Sequence, residues 1–237
     1  MCFSTTASVG AGVALGLIGV ASMKKAQEPH QYALAAMPLL FSVQQFTEGV
    51  VWMSLTASGW ESYRNIATIG FLIIAQAMWP LLLPIAVLRF EQDPARKKIL
   101  KLLLATGIVI AAYFLYCMFT FSVNASIVND HIFYNLDYPR RLIPIAAGFY
   151  LFATVGPPLV SRNKKVQGMG ILILVSYIIT RLFFQPALVS VWCFFGTAIG
   201  ILIYAVLSEK QTSKGNFAMA MIGKNKNREE FKEEDKS

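Results

Sequence analysis

The chain has 237 residues, of which 56% are hydrophobic and 14% charged, and its net charge is +8. A soluble domain of this length cannot bury so much apolar surface, so the composition excludes an ordinary globular domain and indicates a membrane protein. The positive charges stand in short loops and in a tail without an aromatic-basic pattern, which argues against nucleic acid as a partner.

Seven apolar segments are each long enough to cross about 30 Å of hydrocarbon as a helix. In chain order they cover residues 4–23, 32–56, 65–88, 102–122, 142–161, 166–185 and 187–208. We therefore predict an all-α polytopic fold with seven transmembrane helices in one domain, residues 1–208. Residues 209–237 carry charges of both signs and little to bury, which predicts a disordered cytoplasmic tail.

Local motifs mark where helices begin and where they approach one another. Asp93-Pro94 predicts the start of the helix that continues into the fourth span, and Gln185-Pro186 predicts a tight turn between the last two spans. Gly12-x3-Gly16 and Gly196-x3-Gly200 predict faces on which helix backbones pack closely.

The Lys and Arg residues concentrate on one side of the predicted membrane domain. Outside the tail, that side carries Lys24, Lys25, Arg89, Arg96, Lys97, Lys98, Lys101, Arg162, Lys164 and Lys165. The opposite side carries Arg64, Arg140, Arg141 and Arg181. Positive charge marks the cytoplasmic side of a membrane protein. The C-terminus is therefore predicted to be cytoplasmic and the N-terminus to lie outside.

The second predicted span, within LLFSVQQFTEGVVW (39–52), carries two amides and a carboxylate. Gln44, Glu48 and Trp52 are spaced four residues apart, so they share one helix face, and Gln45 lies beside it. Glu48 would lie about 12 Å below the outer surface, where an ionised carboxylate costs about 2.5 kcal/mol or more. Protonation, a cationic partner or a wet cavity would each relieve that cost.

Other polar and aromatic side chains are predicted at a similar depth. Arg181 is the candidate partner of Glu48, although a long Arg side chain also reaches lipid headgroups. Because the inner halves of the spans are mostly aliphatic, we predict a pocket open to the exterior; the alternative is a polar network that only fixes helix packing. The predicted ligand-binding residues are Gln44, Gln45, Glu48, Trp52, Gln76, Trp79, Arg181 and Trp192.

Catalytic chemistry, if present, would rest on Cys2, Glu48 and His131. Removal of the initiator Met would leave the Cys2 thiol beside a free terminal amine, which is a metal chelator or a nucleophile with its own base. Cys2, His131 and Asp130, with Glu48, are the candidates for a mixed metal site. Loop packing or surface exposure is the more usual fate of a lone His.

Several other chemistries lack their signatures. The sequence contains no P-loop, dinucleotide glycine motif, His-Glu-x-x-His or Gly-x-Ser-x-Gly, so it indicates no particular cofactor. Tyr113, Tyr116 and Cys117 of the fourth span are interpreted as core residues rather than cofactor ligands.

Five stretches are characteristic in combination: MCFSTTASVGAG at the start, PLLFSVQQFTEGVVW (38–52), AMWPLLLP (77–84), ATVGPPLVS (153–161) and SVWCFFGTAIG (190–200). They resemble an uncharacterised family of bacterial multi-pass membrane proteins, a domain of unknown function that opens with Met-Cys-Phe-Ser-Ala-Thr-Ala-Ser; Thr5 replaces the first Ala. The resemblance covers nearly the whole chain except the tail. It implies a bacterial inner-membrane protein of about seven spans and no particular activity. The signature stretches contain Cys2, Phe3, Ser4, Gln44, Gln45, Glu48, Trp52, Trp79, Pro80, Trp192 and Cys193.

We therefore predict a membrane protein whose outward-facing pocket binds a small polar or amphiphilic molecule for sensing or transport. Glu48 would be the charged anchor, the glutamines would orient the ligand and the tryptophans would wall the pocket. One alternative is an intramembrane enzyme, a hydrolase or a metal or redox protein. Another is a structural or assembly protein that acts through residues 209–237. The predicted partners are the lipid bilayer and a small-molecule ligand, and the oligomeric state stays open.

Overall fold

The computed structural model describes residues 4–183, 189–190 and 196–208, and within these ranges the chain is mostly helical. A 3-10 turn (Glu61–Tyr63) precedes α4, and a π-helical segment (Ile73–Met78) joins α4 to α5. Two β-strands, β1 (Val123–Val128) and β2 (His131–Leu136), separate α6 from α7. The α-helices are α1 (Thr5–Lys25), α2 (Pro29–Ala35), α3 (Met37–Thr56), α4 (Arg64–Leu72), α5 (Trp79–Phe90), α6 (Pro94–Thr120), α7 (Ile143–Val160), α8 (Lys164–Phe183) and α9 (Gly196–Ser208).

Five helical stretches in the described ranges are long and apolar enough to cross a membrane: Thr5–Lys25, Glu61–Phe90, Pro94–Thr120, Ile143–Val160 and Lys164–Phe183. They agree with the sequence-based prediction of a helical membrane protein. α3 is as long as several of them but is not among them, and it carries Gln44, Gln45 and Glu48 in its middle. The predicted turn at Gln185-Pro186 and the predicted tail lie outside the described residues.

The start of α6 follows the predicted capping pattern. The Asp93 side chain accepts hydrogen bonds from the amides of Ala95 at 2.8 Å and Arg96 at 3.4 Å. Pro94 occupies the first helical position, where its missing N–H leaves no hydrogen bond unmade. The prediction that Asp93-Pro94 begins this helix is therefore confirmed.

Consecutive long helices run in alternating directions, which gives the bundle two distinct ends. The basic end contains the end of α1 at Lys25, the loop between α5 and α6, and the loop between α7 and α8. The hairpin end contains the start of α4, the two β-strands and the start of α7. α9 runs antiparallel to α3, because Gly196 lies against Phe41 of α3 and Gly200 lies against Pro38.

Glycines bring α1 and α3 together along most of their length. A Cβ at Gly12 would stand 3.1 Å from the ring of Phe46, and one at Gly16 would stand 3.2 Å from the hydroxyl oxygen of Ser42. The Ser42 hydroxyl donates a hydrogen bond of 2.6 Å to the backbone carbonyl of Gly12. These contacts confirm that Gly12-x3-Gly16 is a packing face.

A β-hairpin replaces part of what was predicted to be loop, so the all-α description is incomplete. β1 and β2 pair antiparallel through a two-residue turn in which Asn129 and Asp130 have φ of 49° and 59°, conformations that these two residue types tolerate. Ile132 and Tyr134 are two residues apart and therefore share the buried face of β2. Tyr134 stacks on Phe71 at 4.8 Å between ring centroids, which docks the hairpin on α4.

The apolar core divides into two main clusters. One lies towards the basic end and includes residues of α5, α6, α8 and α9, such as Leu83, Leu103 and Ile173. The other lies at the hairpin end and includes Trp52 and Phe71. Residues of both clusters also line a cavity.

Candidate functional site

A cavity of about 680 Å³ lies inside the helical bundle, with walls from α3, α5, α6, α7, α8 and α9. Leu136 and Tyr138, at the end of the β-hairpin, line its side nearest the hairpin end. Its volume lies within the range of about 300–1,000 Å³ that is typical of small-molecule sites. Most of the wall is aliphatic or aromatic, including Phe41, Trp79, Leu83, Phe114, Tyr150, Leu151, Ile173 and Ile199.

A few polar groups converge on this apolar cavity. Gln76 is 7% exposed, and its side-chain oxygen accepts a hydrogen bond from the Tyr138 hydroxyl at 3.2 Å. Burial raises the pKa of Tyr138, so its hydroxyl stays protonated and remains a donor at neutral pH. Among the described residues, the buried hydroxyl of Tyr113 has no hydrogen-bond partner beyond the neighbouring Cys117 thiol. An unsatisfied buried hydroxyl on a cavity wall is a natural contact for an occupant.

The π-helical segment positions Gln76 at this wall. In a π-helix the N–H of a residue donates to the carbonyl five residues earlier. Pro80, just after the segment, has no N–H, so the carbonyl of Ala75 receives no such hydrogen bond from it. The Tyr150 hydroxyl of α7 donates to this carbonyl instead, at 2.6 Å. Isolated π-helical turns often occur at functional sites because they turn side chains away from the ordinary helical face.

Among the described residues that line the cavity, Arg181 is the one with a charged side chain. It lies near the C-terminal end of α8, one turn beyond Tyr177, which also lines the cavity. The ion pairs of the described residues join Glu28 to His30 and Asp93 to Arg96. Arg181 is exposed and takes part in neither of them, so its charge is available to a ligand.

A buried polar cluster lies on α3, next to the cavity wall. Gln44, Gln45 and Glu48 are each at most 1% exposed. The Trp79 indole N–H donates to the side-chain oxygen of Gln44 at 2.8 Å. Glu48 accepts hydrogen bonds from the Gln45 amide, at 3.4 Å, and from the Ser190 hydroxyl. Buried carboxylates require such donors, because an unsatisfied charge at this depth is costly.

Trp79 connects the cavity to the polar cluster. Its ring stacks on Phe41 with centroids 4.0 Å apart, and both rings line the cavity. The N–H of the same Trp79 is bound to Gln44. A change in the cavity that moves Trp79 therefore also changes a hydrogen bond of the polar cluster.

The structure places six of the eight predicted ligand-binding residues in two groups. Gln76, Trp79 and Arg181 line the cavity, whereas Gln44, Gln45 and Glu48 form the adjacent cluster. Trp52 belongs to the hairpin-end core and is 4% exposed; its indole N–H has no hydrogen-bond partner among the described residues. The hydrogen bonds of Glu48 described here lead to Gln45 and Ser190, not to Arg181. Trp192 lies outside the described residues.

The candidate catalytic and metal-binding residues are not gathered at one place. His131 and Asp130 stand at the tip of the β-hairpin, and the His131 ring contacts the carbonyl of Asn129. Glu48 lies in the polar cluster of α3, and Cys2 lies outside the described residues. Within residues 4–183, 189–190 and 196–208, no three His, Cys, Asp or Glu side chains are arranged to hold a metal ion.

Glu91 is a second buried carboxylate that sequence reasoning missed, and it ties two loops together at the basic end. It is 3% exposed and accepts hydrogen bonds from the amides of Gln92 at 2.9 Å, Asp93 at 3.1 Å and Arg162 at 2.7 Å. Burial alone would raise the pKa of Glu91, but these hydrogen bonds, with one from Ser161, hold the pKa below its ordinary value. The α5–α6 loop and the α7–α8 loop are therefore joined through one side chain.

Sequence reasoning also missed much of the cavity wall. Tyr113 was interpreted as a core residue, yet it lines the cavity together with Phe114, Tyr138, Tyr150 and Thr154. These residues come from α6, α7 and the segment between them, and no spacing in the sequence links them. The sequence feature that could have indicated this wall is the aromatic content of residues 113–116 and of the loop that contains Tyr138.

Within the described ranges the fold is mostly helical and contains five helical stretches that are long and apolar enough to cross a membrane, which indicates a helical membrane protein. The chain belongs to a family of unknown function, DUF6629, whose model matches residues 1–218. Membership of an uncharacterised family is thus confirmed. No curated protein and no solved structure matches the chain.

Proposed function

We propose that this protein spans a bacterial inner membrane seven times and binds a small amphiphilic molecule in its cavity, for sensing or transport. The five apolar stretches supply five spans, and α3 and the predicted span 187–208, whose last thirteen residues are α9, supply the other two. α3 can be a span despite its polar residues because Gln44, Gln45 and Glu48 are buried against protein rather than lipid.

The proposed orientation places the hairpin end outside and the basic end in the cytoplasm. Lys24, Lys25, Arg89 and the basic residues from Arg96 to Lys101 and from Arg162 to Lys165 all belong to the basic end. Such a bias is typical of cytoplasmic loops. The cavity then lies in the outer part of the bundle, with Leu83 and Ile173 towards its inner side.

The cavity is the single observation that carries the binding proposal. It combines a large apolar wall with a few converging polar groups, which is the usual composition of a small-molecule site. An amphiphile suits both parts, because its chain can contact the apolar wall while its headgroup reaches Gln76, Tyr138 and Arg181. Leu83, Ile173 and Ile199 of the apolar cluster towards the basic end form part of this apolar wall.

Photocross-linking of the full-length protein in phosphatidylcholine nanodiscs tests this proposal. The probes are three dodecyl chains, each with a diazirine in the chain, that carry a carboxylate, a quaternary ammonium or an uncharged hydroxyl headgroup. Cross-links from at least one probe are expected on peptides of α5, α7 and α8. Ala147→Trp, which fills the cavity from α7, is expected to abolish them.

The matched control is Ala112→Trp, the same substitution at an exposed position of α6 that does not line the cavity. This variant is expected to keep the cross-links. The proposal fails if no probe labels the cavity peptides of the folded wild-type protein, or if the two variants label alike.

A further inference from the structure

We infer that the cavity selects an anionic amphiphile, with a carboxylate or phosphate headgroup at Arg181 and a hydrocarbon chain along the apolar wall. This inference rests on the proposed binding function and specifies its ligand class. It also moves the charged anchor of the site from Glu48, which sequence reasoning favoured, to Arg181.

The charge of the cavity has one sign among the described residues. Its lining there contains Arg181 and no Asp or Glu side chain. A cationic ligand would therefore enter an apolar site that offers repulsion and no counter-charge. A guanidinium group instead offers a planar, permanently charged pair of donors that matches a carboxylate or phosphate.

The four arginines of the hairpin end differ in their relation to the cavity. Arg64 is occupied structurally, since its guanidinium donates to the Ser54 carbonyl at 2.7 Å. Arg140 and Arg141 are exposed and directly precede the segment in which Ile143 lines the cavity. Three of the four arginines on this side therefore belong to the cavity wall or to the segment that leads into it.

The hairpin end also carries the exposed acids Glu61, Asp130 and Asp137, of which Asp137 stands beside the cavity residue Tyr138. In the segment that leads into the cavity wall, Asp137 is followed by Arg140 and Arg141, and Arg181 adds a positive charge in the lining itself. These charges favour an anionic over a cationic headgroup at this side of the cavity.

The polar groups inside the cavity suit an acceptor headgroup as well. The side-chain oxygen of Gln76 is bound by Tyr138, so its amide nitrogen is the group left to donate. The Tyr113 hydroxyl also lacks an acceptor among the described residues, apart from the neighbouring thiol. The apolar residues Leu83, Leu151 and Ile173 supply a wall for the hydrocarbon chain of the ligand.

The three dodecyl probes described above test this charge selection. The carboxylate probe is expected to label the wild-type cavity most strongly, and Arg181→Gln is expected to weaken its apparent affinity by about tenfold or more. Arg181→Lys is expected to restore part of that affinity because it retains the charge without the bidentate geometry. Arg64→Gln is the matched control and is expected to leave the preference unchanged.

The possible outcomes separate this inference from the proposed function. If all three probes label the cavity equally, and Arg181→Gln changes none of them, charge selection is wrong while amphiphile binding stands. If no probe labels the cavity, the proposed function itself fails.

Replacing part of the phosphatidylcholine with phosphatidylglycerol identifies the source of the ligand. If phosphatidylglycerol competes with the carboxylate probe, the ligand is a membrane phospholipid; if it does not compete, the ligand is a free single-chain anion. Both results retain the anionic class.

Discussion

Glu48 and Glu91 are both buried carboxylates, but the protein satisfies them by different means. Glu48 lies within a helix whose own amides are already bonded, so side chains from Gln45 and Ser190 supply its donors. Glu91 lies in a loop, where free backbone amides point towards it. The second arrangement is the more rigid one, because backbone donors cannot rotate away.

Glu91→Gln is expected to lower the free energy of unfolding by about 1–3 kcal/mol. The substitution replaces one carboxylate oxygen with an NH2 group. This group is a donor, so it cannot accept the backbone hydrogen bond that the oxygen accepted. The variant and the wild type should be compared by thermal unfolding in mild detergent at pH 7. Glu61→Gln is the matched control, since Glu61 is exposed and keeps an oxygen for the Gly59 amide.

The same carboxylate predicts how stability depends on pH. Because the pKa of Glu91 is lower in the folded state, its contribution is complete above its ordinary value of 4.5 and is lost as the pH falls through the folded-state pKa. The stability difference between wild type and Glu91→Gln should therefore shrink below pH 4.5. An equal difference at acidic and neutral pH would contradict this role for the ionised carboxylate.

At the scale of elements, α5 and α6 approach each other backbone to backbone where Gly107 meets the carbonyl of Pro80. Pro84 has no N–H, so the carbonyl of Pro80 loses its usual helical donor. Gly107 of α6 faces this carbonyl, and a Cβ added there would overlap the carbonyl oxygen. The contact depends on a bare Cα because the obstacle is backbone, which cannot move aside as a side chain can.

Gly107→Ala is therefore expected to destabilise the protein by about 3 kcal/mol or more, with a lower unfolding temperature in detergent. Gly168→Ala in α8 is the matched control, because a Cβ there meets nothing within 4 Å. The control should be neutral or more stable by up to about 1 kcal/mol, since Ala favours helix. Equal effects at the two positions would refute the close contact at Gly107.

For the whole molecule, the proposed orientation predicts which end reacts with an impermeant thiol reagent. In a variant without Cys2, Cys117 and Cys193, Ser126→Cys on the hairpin should be labelled in intact cells. Lys98→Cys at the basic end should be labelled only after permeabilisation. Both side chains are exposed, so access depends on the side of the membrane. The reverse pattern would invert the topology and place the cavity on the cytoplasmic side.

The sequence predicted the features that depend on neighbours along the chain. Hydropathy over about twenty residues identifies membrane helices, and Asp93-Pro94 marks a helix start because a cap acts within one turn. The spacing of Gly12 and Gly16 identified a packing face for the same reason. The hairpin was missed because its alternation of Ile132 and Tyr134 is short and lies in a polar segment.

Thus the sequence by itself determined that this is an apolar, helical chain, and it singled out Gln44, Glu48, Gln76 and Arg181 as unusual for a membrane. Only the tertiary structure decided which of these residues share a cavity. Helix rotation and the π-helical segment send Gln76 and Arg181 to the cavity wall, while Gln44 and Glu48 turn into the adjacent cluster. The spacing of residues along one helix shows which of them share a face. What that face contacts depends on how helices that are distant in sequence pack together.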